Sequence, residues 1–514
     1  MTTTTTAADI ARAGKTDVYR QFAGIVERRP DALALTEGAR TRTYGELHDR
    51  VLRLAEGLAR AGIGRGDRIA LLSENRGEYV ETELAAAWLG AIVACQNWRQ
   101  APAEMQHCID LVAPKLIVVS ARHAALVEAV EPRGVPVITI EAAWEGLLAG
   151  GPADPARRPD VDPEDGLVIL YTSGTTGMPK GALISHRAEI ARNAALRMDL
   201  RVTEADGFLA WAPMFHMGST DQVLGSLMSG STVHLCDGFD AERIVSIMEE
   251  NLLGWMLLMP GSIEPVVELL ETGRRVKGIR AVGAMADLVP LELIARLSGL
   301  TGAPYLNSFG STETGLPPGS AVLIPPGERP TSLSKRKSTL CEFRLVDLDD
   351  REVAVGEPGE AAVRGPTVFS GYWNAPETNA WDFRGGWFHM GDLFRANPDG
   401  SFDFVDRSKY MIKSGGENIY PAEIERVLLA DPRVSDAVVV KKIDPRWGEV
   451  PVAFVSRKDE TLDSTTIDAM CRSALAGYKR PREVHFIAFD AFPRSTTGKI
   501  QRHEMERWLK AGTS

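Results

Sequence analysis

Leu47, Val51, Leu54 and Leu58 recur at the spacing of one helix face, and the run stops before Gly62 and Gly64. The next apolar block, 67–72, predicts a short strand, and a second helix and strand pair is expected near 79–93. Within that region the apolar stretch 84–95 reads as a buried helix, too short to cross a bilayer. Helix and strand signals alternate to about residue 320, which predicts an α/β fold with largely parallel sheets. From Phe343 the texture changes. Short strands at 343–346 and 360–363 sit between Gly, Pro and Asp turns and predict a β-rich subdomain. The last part of the chain reads as a small α+β unit: a helix over 422–429 behind Pro421, then strands at 438–441, 452–455 and 484–489. The boundary falls near Asp406-Arg407-Ser408-Lys409. No internal repeat interrupts this order, and the threonine-rich tip at 2–6 is expected to be disordered.

Composition narrows the picture. A chain of 514 residues is too long for one core, so at least two domains are expected. Its 44% hydrophobic and 25% charged content is ordinary for a soluble globular protein. The net charge of -11 argues against nucleic acid or an anionic membrane as the main partner, since both reward basic patches. The compact basic run Lys335-Arg336-Lys337 is expected to be a solvated loop. Five cysteines (Cys95, Cys108, Cys236, Cys341, Cys471) lack metal-type spacing, and an odd, dispersed count predicts reduced thiols in a cytoplasmic protein. The N-terminus lacks the basic-then-apolar order of a signal peptide.

The densest chemistry lies in the run Tyr171-Thr172-Ser173-Gly174-Thr175-Thr176-Gly177-Met178-Pro179-Lys180-Gly181, directly after the apolar strand end 167–170. Glycines bring backbone N–H groups close to a ligand, hydroxyls add donors, and lysine adds a mobile cation. That combination suits a polyphosphate. It is not a Walker loop, whose lysine opens a helix. Pro179 disfavours helix in the residue before it, so the run is expected to stay a loop.

This run resembles the signature loop of the adenylate-forming superfamily, which includes acyl-CoA synthetases, peptide-synthetase adenylation domains and beetle luciferases. The similarity extends from about Thr43 to about Arg502. It implies a large adenylating domain (1–406), a hinge (407–409) at Lys409, and a small mobile C-terminal domain (410–514). It also implies ATP, Mg2+ and CoA as reactants and a small carboxylic acid as substrate. By the same match, Thr172, Ser173, Gly174, Thr175, Thr176, Gly177 and Lys180 hold the β- and γ-phosphates. A second motif, Asn307-Ser308-Phe309-Gly310-Ser311-Thr312-Glu313-Thr314-Gly315, is similar to the family's aromatic-Gly-x-Thr-Glu segment. There Phe309 stacks on adenine, Thr312 touches the α-phosphate and Glu313 ligates magnesium, a hard cation that takes oxygen ligands. Gly283 and Ala284 resemble the turn beside adenine and acyl group, and Asp392 and Arg407 the two ribose contacts. Lys499, in Phe492-Pro-Arg-Ser-Thr-Thr-Gly-Lys499, resembles the catalytic lysine that offsets charge as two anions meet. Read alone, it would be a surface lysine in a polar hairpin.

For the thiol step, the resemblance implies that Ser414, Gly415 and Gly416 approach a pantetheine arm and that Trp447, Tyr478 and Arg480 contact CoA. An aromatic platform with a guanidinium suits a nucleotide. His216 stands, by the match, between acyl pocket and thiol tunnel, as a chemical group or only a wall. With it, Met217, Gly218, Met259, Met285 and Gly315 are the expected acyl-pocket residues. Met, Trp and Phe in these stretches favour an apolar acyl group: aromatic, cyclic, branched or medium-chain. Asp287 is the acidic residue among them, with its direction open. The rival reading is a stand-alone adenylation enzyme that loads an amino or aryl acid onto a carrier protein. Such enzymes place an aspartate before the pocket, and here Met214-Phe-His-Met-Gly-Ser219 has none, although Asp221 is near. A catalytically silent ATP-binding protein is a second rival. Neither stable membrane insertion nor nucleic-acid binding is expected, and a homodimer is left open beside the monomer.

Overall fold

The computed structural model describes residues 7–172, 178–415, 417–494 and 500–511. It divides into two compact units, Met1–Glu342 with Val363–Phe388, and Phe343–Ala362 with His389–Ser514. The stretch 406–409 therefore lies inside the second unit.

The first unit is built as the alternation predicts. Helix Tyr44–Arg60 starts in a capping box, Thr43 Oγ1 accepting from the Glu46 N–H while the Glu46 carboxylate accepts from the Thr43 N–H. Leu47, Val51, Leu54 and Leu58 on its inner face are fully buried, each contributing roughly 1.5–3 kcal/mol of transfer free energy. The main sheet has six strands in the order Val137–Thr139, Leu116–Val119, Arg68–Leu72, Ile92–Cys95, Gly166–Thr172, Lys180–Ser185. All neighbours pair in parallel except the last two, which are antiparallel. Strands covered on both faces carry unbroken apolar runs such as Leu116–Val119, every residue of which is buried. Two four-stranded sheets share this design, parallel inside with one antiparallel edge.

One expectation is corrected here. The stretch 84–95 is not one helix: helix Gly77–Leu89 ends at Gly90 (φ 68°), and Ile92–Cys95 is a strand. A helix buried on all sides and a buried parallel strand carry the same unbroken apolar run, so periodicity alone does not separate them.

Strands Glu342–Val346, Pro358–Arg364, Phe388–Ala396 and Phe402–Arg407, most of whose residues belong to the second unit, form the expected β-rich sheet. Phe343 and Phe402 stack at 4.4 Å, with Phe394 edge-on to both. Beyond it a five-stranded sheet forms around the pair Val434–Asp444 and Gly448–Arg457. Helices Pro421–Leu429 and Ser464–Ala474 bury Ile424, Leu428, Ile467 and Cys471 in one cluster with the sheet residues Val439, Ala453 and Val455. No helix among the described residues is long and apolar enough to cross a membrane.

Candidate active site

The two ends of the hydroxyl-and-glycine run are pinned opposite each other: Thr172 closes one strand, Lys180 opens its antiparallel neighbour, and the two are register partners. Ser173, Gly174, Thr175, Thr176 and Gly177 lie outside the described residues. Lys180 begins a strand and not a helix, which sets the run apart from a Walker loop. Its ammonium sits 3.8 Å from the ring centre of Tyr372 and 3.9 Å from the Asp382 carboxylate. The Tyr372 hydroxyl in turn donates to Glu313 Oε1 at 2.7 Å. Cation, ring and carboxylate from three distant segments thus meet at one place.

Glu313 stands at the tip of a hairpin. Gly310–Ser311 pairs with Gly315–Pro318, and the hydroxyls between them close the turn. Thr314 Oγ1 accepts from Ser311 N (3.2 Å) and donates to Pro317 O (2.6 Å), while Ser311 Oγ accepts from Glu313 N (3.2 Å). Phe309 is anchored through its backbone, its N–H donating to Ser320 Oγ and its carbonyl accepting from Gly319 N, both at 3.0 Å. The Gly283-Ala284 turn is joined to this motif, because Met285 N donates to Ser308 Oγ at 2.9 Å. Tyr305 lies under the turn and donates to Ala284 O at 2.8 Å. Gly283 has φ 80°, and a Cβ there would fall 2.2 Å from the Tyr305 ring, so only glycine fits.

Lys335 departs from expectation. It is fully buried, not part of a solvated loop. Its ammonium donates to Asp287 Oδ2 and to Asn307 Oδ1, each at 2.6 Å, while Asn307 Nδ2 donates to Leu333 O at 2.9 Å. A buried ammonium needs such partners. The acidic Asp287 is thereby spoken for by a lysine.

Beneath the hairpin a second buried group does similar work. Arg192 donates to Thr312 O (3.1 Å) and Thr367 O (3.0 Å) and pairs with Asp221 (3.2 Å), both side chains being almost wholly buried. Asp221 is committed to Arg192, which bears on the amine-pairing role that the rival reading would need. Burial pushes the carboxyls of Glu83 and Glu189 well above the usual carboxylate range, with the nearby Asp221 charge acting in the same direction.

On the acyl side, half-buried His216 caps helix Met217–Met228 from an extended backbone and packs on Phe215 at 4.5 Å. Gly218 approaches Leu257, and half-buried Met259 and Met285 pack against the core cluster of this unit. Asn75 staples the preceding segment. Its amide donates to Ala210 O (3.0 Å) and Ala212 O (2.8 Å), and its oxygen accepts from Met214 N (2.9 Å).

In the second unit Asp392 and Arg407 are register partners on adjacent strands and pair at 3.1 Å. Lys409 lies in the short turn Ser408–Tyr410. Ser414 ends a strand, and Gly415 (φ 60°) donates to Trp447 O at 2.8 Å under the Trp447 ring. Arg446 lies over that ring at 4.8 Å. Trp447 and Tyr478 are 37% and 40% exposed, and Arg480 donates to Leu475 O at 3.4 Å. Gly416 and Lys499 lie outside the described residues. Among the described residues no group of three or more His, Cys, Asp or Glu forms a cation cage. A single carboxylate at Glu313 fits a magnesium that arrives with phosphates and keeps its waters.

A parallel α/β core whose edge hairpin carries a hydroxyl-and-glycine run, beside an acidic turn and an aromatic motif, is the design of an adenylating enzyme. The chain belongs to the AMP-binding enzyme family: residues 22–373 match that family and residues 423–499 its C-terminal domain. The motif resemblance is borne out. An indoleacetate–CoA ligase of Aromatoleum aromaticum (strain DSM 19018 / LMG 30748 / EbN1) is 34% identical over 497 residues, 94% of this chain and 96% of that protein. A feruloyl-CoA synthase of an Amycolatopsis species is 34% identical over 493 residues, 93% of this chain and 96% of that protein. Among solved structures, ATP-bound MatB from Rhodopseudomonas palustris superposes with TM-score 0.84 at 26% identity, covering 97% of this chain and all (100%) of that one. The o-succinylbenzoate CoA synthetase (MenE) of Bacillus subtilis, in complex with its acyl-adenylate intermediate OSB-AMP, gives 0.83 at 26% identity over 96% and 98%.

Tyr372, Arg192, Lys335 and Asn75 were not visible as site residues in the sequence. Each acts through a contact dozens of residues away or more, as Tyr372 does on Glu313 across 59 positions. No spacing rule links such pairs.

Proposed function

We propose that the chain is an AMP-forming carboxylate–CoA ligase acting on an apolar, ring-bearing acid. The carrying observation is the meeting of Lys180 and Glu313 through Tyr372, which puts a cation and an acidic oxygen together where a polyphosphate would need both. A carboxylate is a poor acyl donor because its leaving group would be oxide. In the first step its oxygen attacks the α-phosphorus of ATP, the bond to pyrophosphate breaks, and an acyl-AMP forms. Thr172, Lys180 and the run between them hold the leaving phosphates, Thr312 meets the α-phosphate, and Lys499 offsets the charge as two anions approach. Magnesium, held by Glu313, would neutralise phosphate charge. Gly283, Ala284 and Phe309 receive adenine, and Asp392 and Arg407 the ribose. In the second step the CoA sulfur attacks the acyl carbon and AMP leaves with the former carboxylate oxygen. Gly415, Gly416, Trp447, Tyr478 and Arg480 receive CoA, and His216 lines the point where thiol and acyl group meet.

Indoleacetate, ferulate and 2-succinylbenzoate, the acids in the relatives' names, all carry a ring, which supports an aryl substrate. The reaction belongs in a reducing compartment, the cytoplasm, which suits five buried free cysteines. Lys409 would serve as pivot between the two steps. Both sides of that turn are bonded: Asp406 Oδ2 accepts from Ala422 N (2.7 Å) and Phe404 O from Arg426 (3.3 Å), so rotation there has to break these bonds. The test is AMP release from a panel of carboxylic acids with and without CoA. AMP formation that requires both an aryl acid and CoA supports the reading. Pyrophosphate exchange driven by amino acids and not by simple carboxylates would replace it with the carrier-protein reading.

A further inference from the structure

The segment 369–373 is held on two sides. Trp373 N donates to Gly181 O (2.7 Å), Ser370 N to Leu183 O (2.8 Å), and Leu183 N to Gly371 O (3.0 Å), so the segment runs along the strand that Lys180 opens. At its other end Phe369 N donates to Glu313 O at 2.8 Å. Asn379 clamps the middle, accepting from Tyr372 N (2.7 Å) and donating to Tyr372 O (2.8 Å). Tyr372 is 7% exposed, and its ring packs edge-on against Phe369 at 4.9 Å. The ring is therefore fixed before any ligand arrives, with its face under the Lys180 ammonium and its hydroxyl on Glu313.

We propose that Tyr372 is the positioning residue of the magnesium–polyphosphate site, orienting the Glu313 carboxylate and seating Lys180 at once. This rests on the ligase reading above. The choice of residue has a physical reason. A neutral phenol fixes Oε1 without neutralising the carboxylate, whereas an arginine there would compete with a divalent cation for its charge. In the same way, the aromatic face seats the ammonium at 3.8 Å while its carboxylate contact, Asp382, stays at 3.9 Å, the outer limit of an ion pair, so charge remains to act on phosphate.

Calorimetric titration of the full-length protein with ATP, with and without Mg2+, tests this directly. Tyr372→Phe keeps the ring and removes the hydroxyl. Its affinity for ATP with Mg2+ should fall about tenfold while metal-free ATP binding stays within about twofold of the unaltered protein. Tyr372→Leu removes the seat of Lys180 as well, so metal-free binding should also fall, by about fivefold. In a Glu313→Gln background, Tyr372→Phe should add nothing further. Unchanged binding by Tyr372→Phe, or an equal loss with and without Mg2+, overturns the assignment while leaving the ligase reading in place. Equal metal-free binding by the Phe and Leu variants overturns the lysine half. An unaltered protein that binds no ATP overturns the ligase reading, and this assignment with it.

Discussion

The proposed nucleotide side of the first unit and the proposed CoA side of the second are built on opposite terms. Around Glu313 nearly every group is buried and bonded more than once: Tyr372 to Glu313 and Asn379, Ser308 to Met285, Lys335 to Asp287 and Asn307, Arg192 to Thr312, Thr367 and Asp221. In the second unit Trp447, which lies against Gly415, and Tyr478 stand more than a third exposed. The contrast follows from the tasks. Transferring a nucleotidyl group requires fixed dipoles and charges that do not reorganise during the step. Receiving a long, flexible thiol arm requires a surface, which an exposed aromatic platform supplies.

The largest expected effect separates the two steps. Lys499→Ala should slow acid-dependent pyrophosphate exchange by about a hundredfold or more, yet leave conversion of supplied acyl-AMP and CoA to thioester. Equal loss of both steps would mean the lysine serves neither side in particular. Next come two glycines. Gly283→Ala forces a Cβ to 2.2 Å from a fixed, buried tyrosine at φ 80°. It should destabilise the protein by about 3 kcal/mol in denaturant unfolding. Gly415→Ala places its Cβ 2.8 Å from Trp447, an exposed ring that can turn aside, and should cost about 1 kcal/mol. Equal costs would erase the distinction between a rigid and a yielding side. The last effect concerns the buried acids. Glu189 ordinarily titrates near 4.5, and burial raises it well above that value. The folded state therefore keeps a proton that the unfolded chain has lost, and stability falls as pH rises above the ordinary carboxylate range. Glu189→Gln should flatten that fall by up to about 1.4 kcal/mol per pH unit for as long as the buried carboxyl keeps its proton, read from denaturant midpoints at successive pH values above the ordinary carboxylate range.

Much of the first unit was legible because its signals are local. Leu47, Val51, Leu54 and Leu58 mark their helix by spacing, and Thr172 and Lys180 sit where a strand, a glycine run and a proline place them. The family was legible from the residue types in order in the runs 171–181 and 307–315. What failed to show was pairing across the chain. Lys335 reads as solvent-facing beside Arg336 and Lys337 until Asp287 and Asn307, from distant segments, are seen to enclose it. The helix-to-strand change at Gly90 was hidden because both elements are buried on all sides and the stretch 84–95 carries no polar residue. Tyr372 is the sharpest case, since its meaning depends on Glu313 and Lys180 together.

The central claim, that a carboxylate oxygen becomes part of an adenylate, is tested most directly by isotope. With an accepted acid labelled by 18O in its carboxylate, thioester formation should leave one labelled oxygen in the AMP and none in pyrophosphate. Unlabelled AMP, or label in pyrophosphate, would contradict it.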